Sequence, residues 1–201
     1  AMWSSEVTNM IITGIWETLY MTLVSTLVGY VIGLPMGIIL TVSDKDGIKP
    51  NAVLYKILDV IANIVRSVPF IILLVLLIPF TRLVVGKSYG STATIVPLVI
   101  AAAPYIARMV ESNFTIITKV MLVEARTSLL VGATITLGTI LGYSAMSGAV
   151  GGGGLGAIAI RYGYTRWQTD IMIVTVILLI ILFQIFQTVG MKLADKFDHR
   201  K

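Results

Sequence analysis

Five long apolar stretches, separated by short polar loops, constrain this chain more than anything else in it. They run from Ile15 to Thr41, Ala52 to Phe80, Thr92 to Val110, Leu129 to Val150 and Ile171 to Leu193. Each is long enough, at ~1.5 Å per residue, to cross ~30 Å of hydrocarbon. A backbone in lipid must satisfy its own hydrogen bonds, and the alternating pattern of a membrane barrel is absent, so the spans read as helices. The expected fold class is all-α, a polytopic membrane protein. Hydrophobic residues make up 57% and charged ones 12%, too few charges to clothe a soluble domain. Five spans leave no room for a second globular unit, so residues 1–201 read as a single membrane domain.

The placement of basic residues gives an orientation. Lys45, Lys49, Lys56, Arg108, Lys119, Arg126, Lys192, Lys196, Arg200 and Lys201 fall on one side, against Arg82, Lys87, Arg161 and Arg166 on the other. The positive-inside rule then puts the N-terminus outside and the C-terminus in the cytoplasm. The net charge of +5 is thereby topology rather than a nucleic-acid footprint. No cleavable signal peptide is expected, since the start lacks a basic region and the first span is too long. Without cysteine there is no thiol chemistry, and the lone His199 in a charged tail makes no metal site.

Catalysis finds little support. Gly151 to Gly154 with Gly156 superficially resembles a phosphate loop, but no Lys-Ser/Thr follows and no strand precedes it. Those glycines suit a sharp turn and a re-entrant or capping segment on the outer face. Intramembrane pairs of His, Cys or clustered carboxylates are also missing, which argues against a membrane enzyme.

Polar groups within the spans are more informative, because an ionisable side chain at membrane depth is costly. Glu17 and Asp59 lie near span ends, where solvation or pairing is the simpler reading. Arg66 opens the run Arg66-Ser67-Val68-Pro69-Phe70, in which Pro69 removes a ladder amide and favours a kink. Arg66 either snorkels or lines a path. Pro35, Pro79, Pro97 and Pro104 offer further break points. In the fourth span, Gly142-Tyr143-Ser144-Ala145-Met146-Ser147-Gly148 sets two bulky side chains, three positions apart, among small ones. This arrangement suits either a plug in a narrow passage or close helix packing. From Arg108 to Leu129 the pattern is amphipathic, with Phe114, Ile117, Met121 and Leu122 apolar and Thr118, Lys119, Glu124 and Arg126 polar, fitting a lipid-surface helix or a docking helix.

Several longer motifs carry a family resemblance: Gly14-Ile15-Trp16-Glu17-Thr18-Leu19, Asn63 through Leu74, Ile78-Pro79-Phe80-Thr81-Arg82, Ala102 through Glu111, and Gly142 through Met146 with the glycine run after it. The chain resembles the permease subunit of bacterial methionine importers of the ATP-binding-cassette class, nearly end to end. The resemblance implies an inner-membrane homodimer that imports methionine, with D-methionine and derivatives in its range, by alternating access. It also implies two ATPase subunits that bind ATP and Mg, so that this chain holds no cofactor, and a substrate-binding lipoprotein. Tyr143 and Met146, with Ser144 and Ser147, would form the closure of the pathway. Arg66, Ser67 and Pro69 would supply the intramembrane polar group and kink. Phe114, Lys119, Glu124 and Ala125 would belong to the region that meets the ATPase. The competing reading is an ATP-independent channel or scaffold.

One departure is serious. The family's cytoplasmic coupling motif, beginning Glu-Ala-Ala or Glu-Ala-Ser with a Gly a few residues later, is missing. The chain passes from Glu111, resembling the end of the third span, straight to Ser112-Asn113-Phe114-Thr115, resembling the part after that Gly. The family's later Leu-Pro here reads Leu122-Val123. Two explanations offer themselves, an internal deletion or a mobile loop whose flanks are written as joined. The abrupt ends in mid-motif favour the loop.

Overall fold

The computed structural model describes residues 4–117 and 123–197, and every regular element among them is helical. Ser4 opens the first, α1 (Ser5–Ser43), its hydroxyl accepting the Val7 amide at 3.4 Å. A loop leads to α2 (Ala52–Ser67), capped by the Asn51 side chain, which accepts from Leu54 at 3.1 Å. Two short helices follow, α3 (Phe70–Leu76) and α4 (Ile78–Val85). Then come α5 (Ser91–Ile117) and α6 (Val123–Ser147), a 3₁₀ turn (Gly148–Val150), the short α7 (Gly154–Ile158), a π-helical turn (Ala159–Tyr164) and α8 (Thr169–Lys196).

The second expected span is not straight. Helices α2 and α3 meet at 105°. The cause is local: Pro69 forces Val68 out of the helical region, to φ −81° and ψ 125°, and offers no amide to the ladder. Among the described residues four helices are long and apolar enough to cross a membrane, and five spans result if the bent pair counts as one. Of the other expected break points, Pro79 follows one, the interruption at Leu77 between α3 and α4, and sits at the start of α4 where its missing amide costs nothing, whereas Pro35 lies inside unbroken α1 and Pro97 and Pro104 inside unbroken α5.

The centre of the bundle is α1 against α5. Gly29, Gly33 and Gly37 form one stripe of α1, and α5 lies directly on it. A Cβ on Gly33 would stand 2.6 Å from the Ala103 carbonyl oxygen, and one on Gly37 would stand 2.6 Å from that of Ala107. This is small-residue packing, the means by which helices associate where lipid offers no hydrophobic driving force. Met21, Leu98, Ile106, Val110 and Ile140 fill the core around the seam, with Phe70 and Leu74 from the bent segment. Threonines on α1 turn their hydroxyls inward to their own helix, Thr18 donating to Gly14 O at 2.8 Å and Thr26 to Thr22 O at 2.7 Å. Large apolar side chains cover the outside, among them Leu27, Val31, Ile57, Ile64, Ile173 and Ile180, as lipid and a partner helix require.

Helix α5 runs through Glu111 and Ser112 without interruption. The two residues are consecutive in the 201-residue sequence and lie in one helix.

Candidate translocation site

The break at Pro69 aims the first side chain of α3 across the bundle. The Phe70 ring stacks on Tyr143 of α6, centroids 4.5 Å apart and planes within 5°. An aromatic pair of this kind holds both rings more firmly than area burial alone. Three residues on, Met146 lies on the same side of α6 and is 52% exposed. A Cβ added to Gly142 would find nothing within 4 Å. Together with exposed Ile135, these residues give α6 one open face with a clamped ring and a free thioether at its end.

Ser144 and Ser147 are not on that face. Both are buried, Ser144 donating to Leu141 O at 2.8 Å and Ser147 to Ser144 O at 2.7 Å. Close packing with the glycine run draws them inward: a Cβ on Gly152 would lie 2.2 Å from Ser147 Oγ, and one on Gly156 would lie 2.1 Å from Ala145 O. The expected four-residue lining therefore divides into half-buried Tyr143 with exposed Met146 on one side and a buried pair, Ser144 and Ser147, on the other.

Arg66 is exposed and has no ion-pair or hydrogen-bond partner among the described residues. Ser67 donates to Asn63 O at 2.7 Å, and Pro69 stands exposed at the bend. Of the docking candidates, Lys119 lies outside the described residues. Phe114 falls in the last turns of α5, and Glu124 and Ala125 in the first turn of α6.

A polar cluster near the α5–α6 end was not anticipated. Asp59 is bonded by the Arg108 guanidinium, which also reaches Glu111 at 2.7 Å and Asn63 Oδ1 at 3.0 Å. The Tyr55 hydroxyl donates to Glu111 Oε1 at 2.9 Å, and Asn63 Nδ2 donates to Asp59 at 3.2 Å. Tyr55, Asp59 and Asn63 follow one another every four residues along α2, while Arg108 and Glu111 are three apart on α5. Those spacings were visible in the sequence, but their mutual approach depends on how α2 and α5 pack. Asp59 is thus paired, though not with Arg66.

At the opposite end, the glycine run folds back as a cap. Gly151, Gly153 and Gly154 take left-handed φ values of 85°, 86° and 73°, which side chains rarely adopt. The turn delivers the Gly154 amide to Glu17 Oε2 at 2.6 Å and the Leu155 amide to Thr18 Oγ1 at 2.9 Å. Glu17 and Thr18 therefore each serve one of the first two amides of α7, which otherwise would lack partners.

No family model matches the chain. Curated proteins do match, however, over its whole length. A probable D-methionine transport system permease protein MetI of Vibrio cholerae is 44% identical over 219 residues, covering 100% of this chain and 97% of the relative. The chain belongs to the MetI permease family. The D-methionine transport system permease protein MetI of Escherichia coli K12 is 47% identical over 158 residues, covering 69% of this chain and 73% of the relative. Among solved structures, one of the inward facing conformations of the MetNI methionine ABC transporter superposes with a TM-score of 0.92 at 44% identity, covering 98% of this chain and 100% of that one. An amino acid ABC transporter with a TM-score of 0.71 at 18% identity, covering 98% of this chain and 96% of that one, shows the shared fold alone. The alignment with the Vibrio cholerae permease spans 219 positions against 201 residues here, a difference of 18.

Proposed function

We propose that two copies of this chain form the membrane pathway of an ATP-binding-cassette importer for methionine, D-methionine included, in a bacterial inner membrane. The observation that carries this is the 44% identity to a MetI permease across the full chain. The chain is the passive, non-hydrolytic subunit. ATP and Mg are bound by a pair of ATPase subunits, and a binding lipoprotein supplies the substrate on the far side. The N-terminus faces outward, as the distribution of Lys and Arg favours.

The open face of α6 suits the closure of such a pathway. Met146 carries a flexible, polarizable side chain beside a clamped Tyr143, and two such pairs meeting across a dimer axis would seal a passage against water. A neutral zwitterion passing between them needs no fixed countercharge. Ser144 and Ser147, already bonded to their own helix, shape the packing behind the closure. Arg66, Ser67 and Pro69 mark the hinge side, where the bent α2–α3 segment sets the position of Phe70 and hence of Tyr143.

The alignment with the Vibrio cholerae permease runs over 18 more positions than this chain has residues, and the break in the coupling motif assigns that difference to the docking region, to which Phe114, Lys119, Glu124 and Ala125 belong. Coupling to ATP hydrolysis should fail or fall sharply in this chain, while the pathway remains. Uptake of labelled methionine into cells lacking their own methionine permease, but retaining its ATPase and binding protein, tests the reading. With the 18 residues restored, saturable methionine uptake is expected. No uptake above the empty-vector level would overturn it.

A further inference from the structure

A cavity of about 310 Å³ opens at the end of the bundle opposite the α5–α6 connection, between α1, α7 and the π-helical turn. Its lining has one carboxylate, Glu17, one guanidinium, Arg161, and the side chains of Met10, Thr13, Ile158 and Tyr162. Glu17 uses Oε2 to hold the Gly154 amide. A carboxylate has about four acceptor positions, so it retains capacity facing the cavity. Arg161 is exposed and forms no ion pair among the described residues, nor does Arg166. Both guanidinium groups instead lie toward the Tyr162 ring, Arg166 at 4.7 Å and Arg161 at 6.0 Å from its centroid. Two cations gathered on one aromatic ring without an acidic partner leave a site for an anion.

The surroundings say which kind of molecule brings that anion. Trp16, Tyr20, Tyr164 and Trp167 are all exposed around this end, at 68%, 43%, 69% and 84%. Tryptophan and tyrosine gather in this way at the level of lipid headgroups. Beyond them, exposed Ile12, Leu23 and Leu27 on α1 and Ile173, Ile177 and Ile180 on α8 offer apolar surface along the spans. A ligand that suits the whole arrangement has a phosphate for the arginines, a hydrogen-bonding ammonium for Glu17 and hydrocarbon chains for the helix faces.

We propose that the α1/α7 cavity binds the headgroup of an amine-bearing phospholipid of the phosphatidylethanolamine class, with its ammonium on Glu17 and its phosphate on Arg161 and Arg166. A choline headgroup carries the same charges but has no N–H to donate, so it fills the site without the bond to Glu17. The lipid would brace the glycine cap against α1 at the point where α7 depends on Glu17.

Mass spectrometry of the full chain released from vesicles made of phosphatidylethanolamine, phosphatidylcholine or phosphatidylglycerol reads the lipid retained per protomer. About tenfold preferential retention of phosphatidylethanolamine over phosphatidylcholine is expected, the worth of one charge-assisted hydrogen bond. Glu17→Gln keeps an acceptor for the Gly154 amide while removing the charge, so the chain stays folded and the preference should vanish. Arg161→Gln with Arg166→Gln, at exposed positions, should reduce retention of all three lipids. Equal retention of the ethanolamine and choline lipids by the unsubstituted chain would overturn the proposal. So would release of the lipid by millimolar free methionine, which would assign the cavity to an amino-acid zwitterion.

Discussion

Replacing Arg108 should loosen the join between α2 and α5 more than replacing any other arginine in the spans. Its guanidinium faces two carboxylates, Asp59 and Glu111, and Arg108→Gln takes that cation away from both. The Arg108, Asp59 and Glu111 side chains are 19%, 30% and 14% exposed, so the cluster is neither fully solvated nor dry. Exposed ion pairs contribute ~0–1 kcal/mol, whereas breaking a buried one costs ~3–5 kcal/mol. The partial burial here places Arg108→Gln at about 2 kcal/mol. For a chain of this size that amounts to a fall of about 4–8 °C in the thermal midpoint. Asp59→Asn leaves Arg108 paired with Glu111 and should cost about 1 kcal/mol. The two substitutions together should cost less than their sum, because both remove the same Arg108–Asp59 pair. Arg66→Gln is the internal control: exposed and without a partner, it should stay within about 0.5 kcal/mol. Helicity followed by circular dichroism in detergent micelles during heating measures all four. If Arg108→Gln shifts the midpoint no further than Arg66→Gln does, or if the two cluster substitutions simply add, the network does not hold α2 to α5.

Other consequences can be checked more briefly. Gly37→Leu drives a side chain into the Ala107 carbonyl and Val110, and should cost at least about 3 kcal/mol, seen as lost folded yield after membrane extraction, while Gly142→Ala beside open space should leave yield unchanged. Because the chain has no cysteine, Met146→Cys provides a single reporter: oxidation should give a disulfide-linked dimer, and Ser147→Cys, buried, should not. Gly153→Val combines a left-handed φ of 86° with a Cβ 2.9 Å from Glu17 Oε2, and should detach the cap, raising amide hydrogen exchange at Gly154 and Leu155.

Much of the architecture was legible because a bilayer restricts what a chain can do. Long apolar runs must be helices there, and Pro69 acts on its immediate neighbours, so the spans and the break could both be read locally. The size of the break could not, since 105° reflects where Phe70 finds Tyr143, a partner 73 positions away. Ser144 and Ser147 were grouped with Tyr143 and Met146 because all four fall in one run of small and polar residues around two bulky ones. One residue of offset turns a helix by ~100°, and that rotation separates an open face from a packed one. Pro97 and Pro104 resemble Pro69 as letters, but α5 is gripped along its length by the glycine stripe of α1 and stays helical. Arg108 looked like a topological charge until packing set it against Asp59. The stripe Gly29, Gly33, Gly37 was readable at its four-residue spacing, and the structure supplies the helix it was made for.

The central claim is that this chain conducts methionine and that the 18 positions by which it falls short of the Vibrio cholerae alignment limit only the drive. Purified chain reconstituted in vesicles with the ATPase and binding protein of a methionine importer tests both halves, once as it stands and once with the 18 residues of the Vibrio cholerae permease inserted between Glu111 and Ser112. The inserted form should accumulate labelled methionine only when ATP is supplied, and the unaltered chain at least about tenfold less. Failure of the inserted form to accumulate methionine, or accumulation that needs no ATP, would contradict the account.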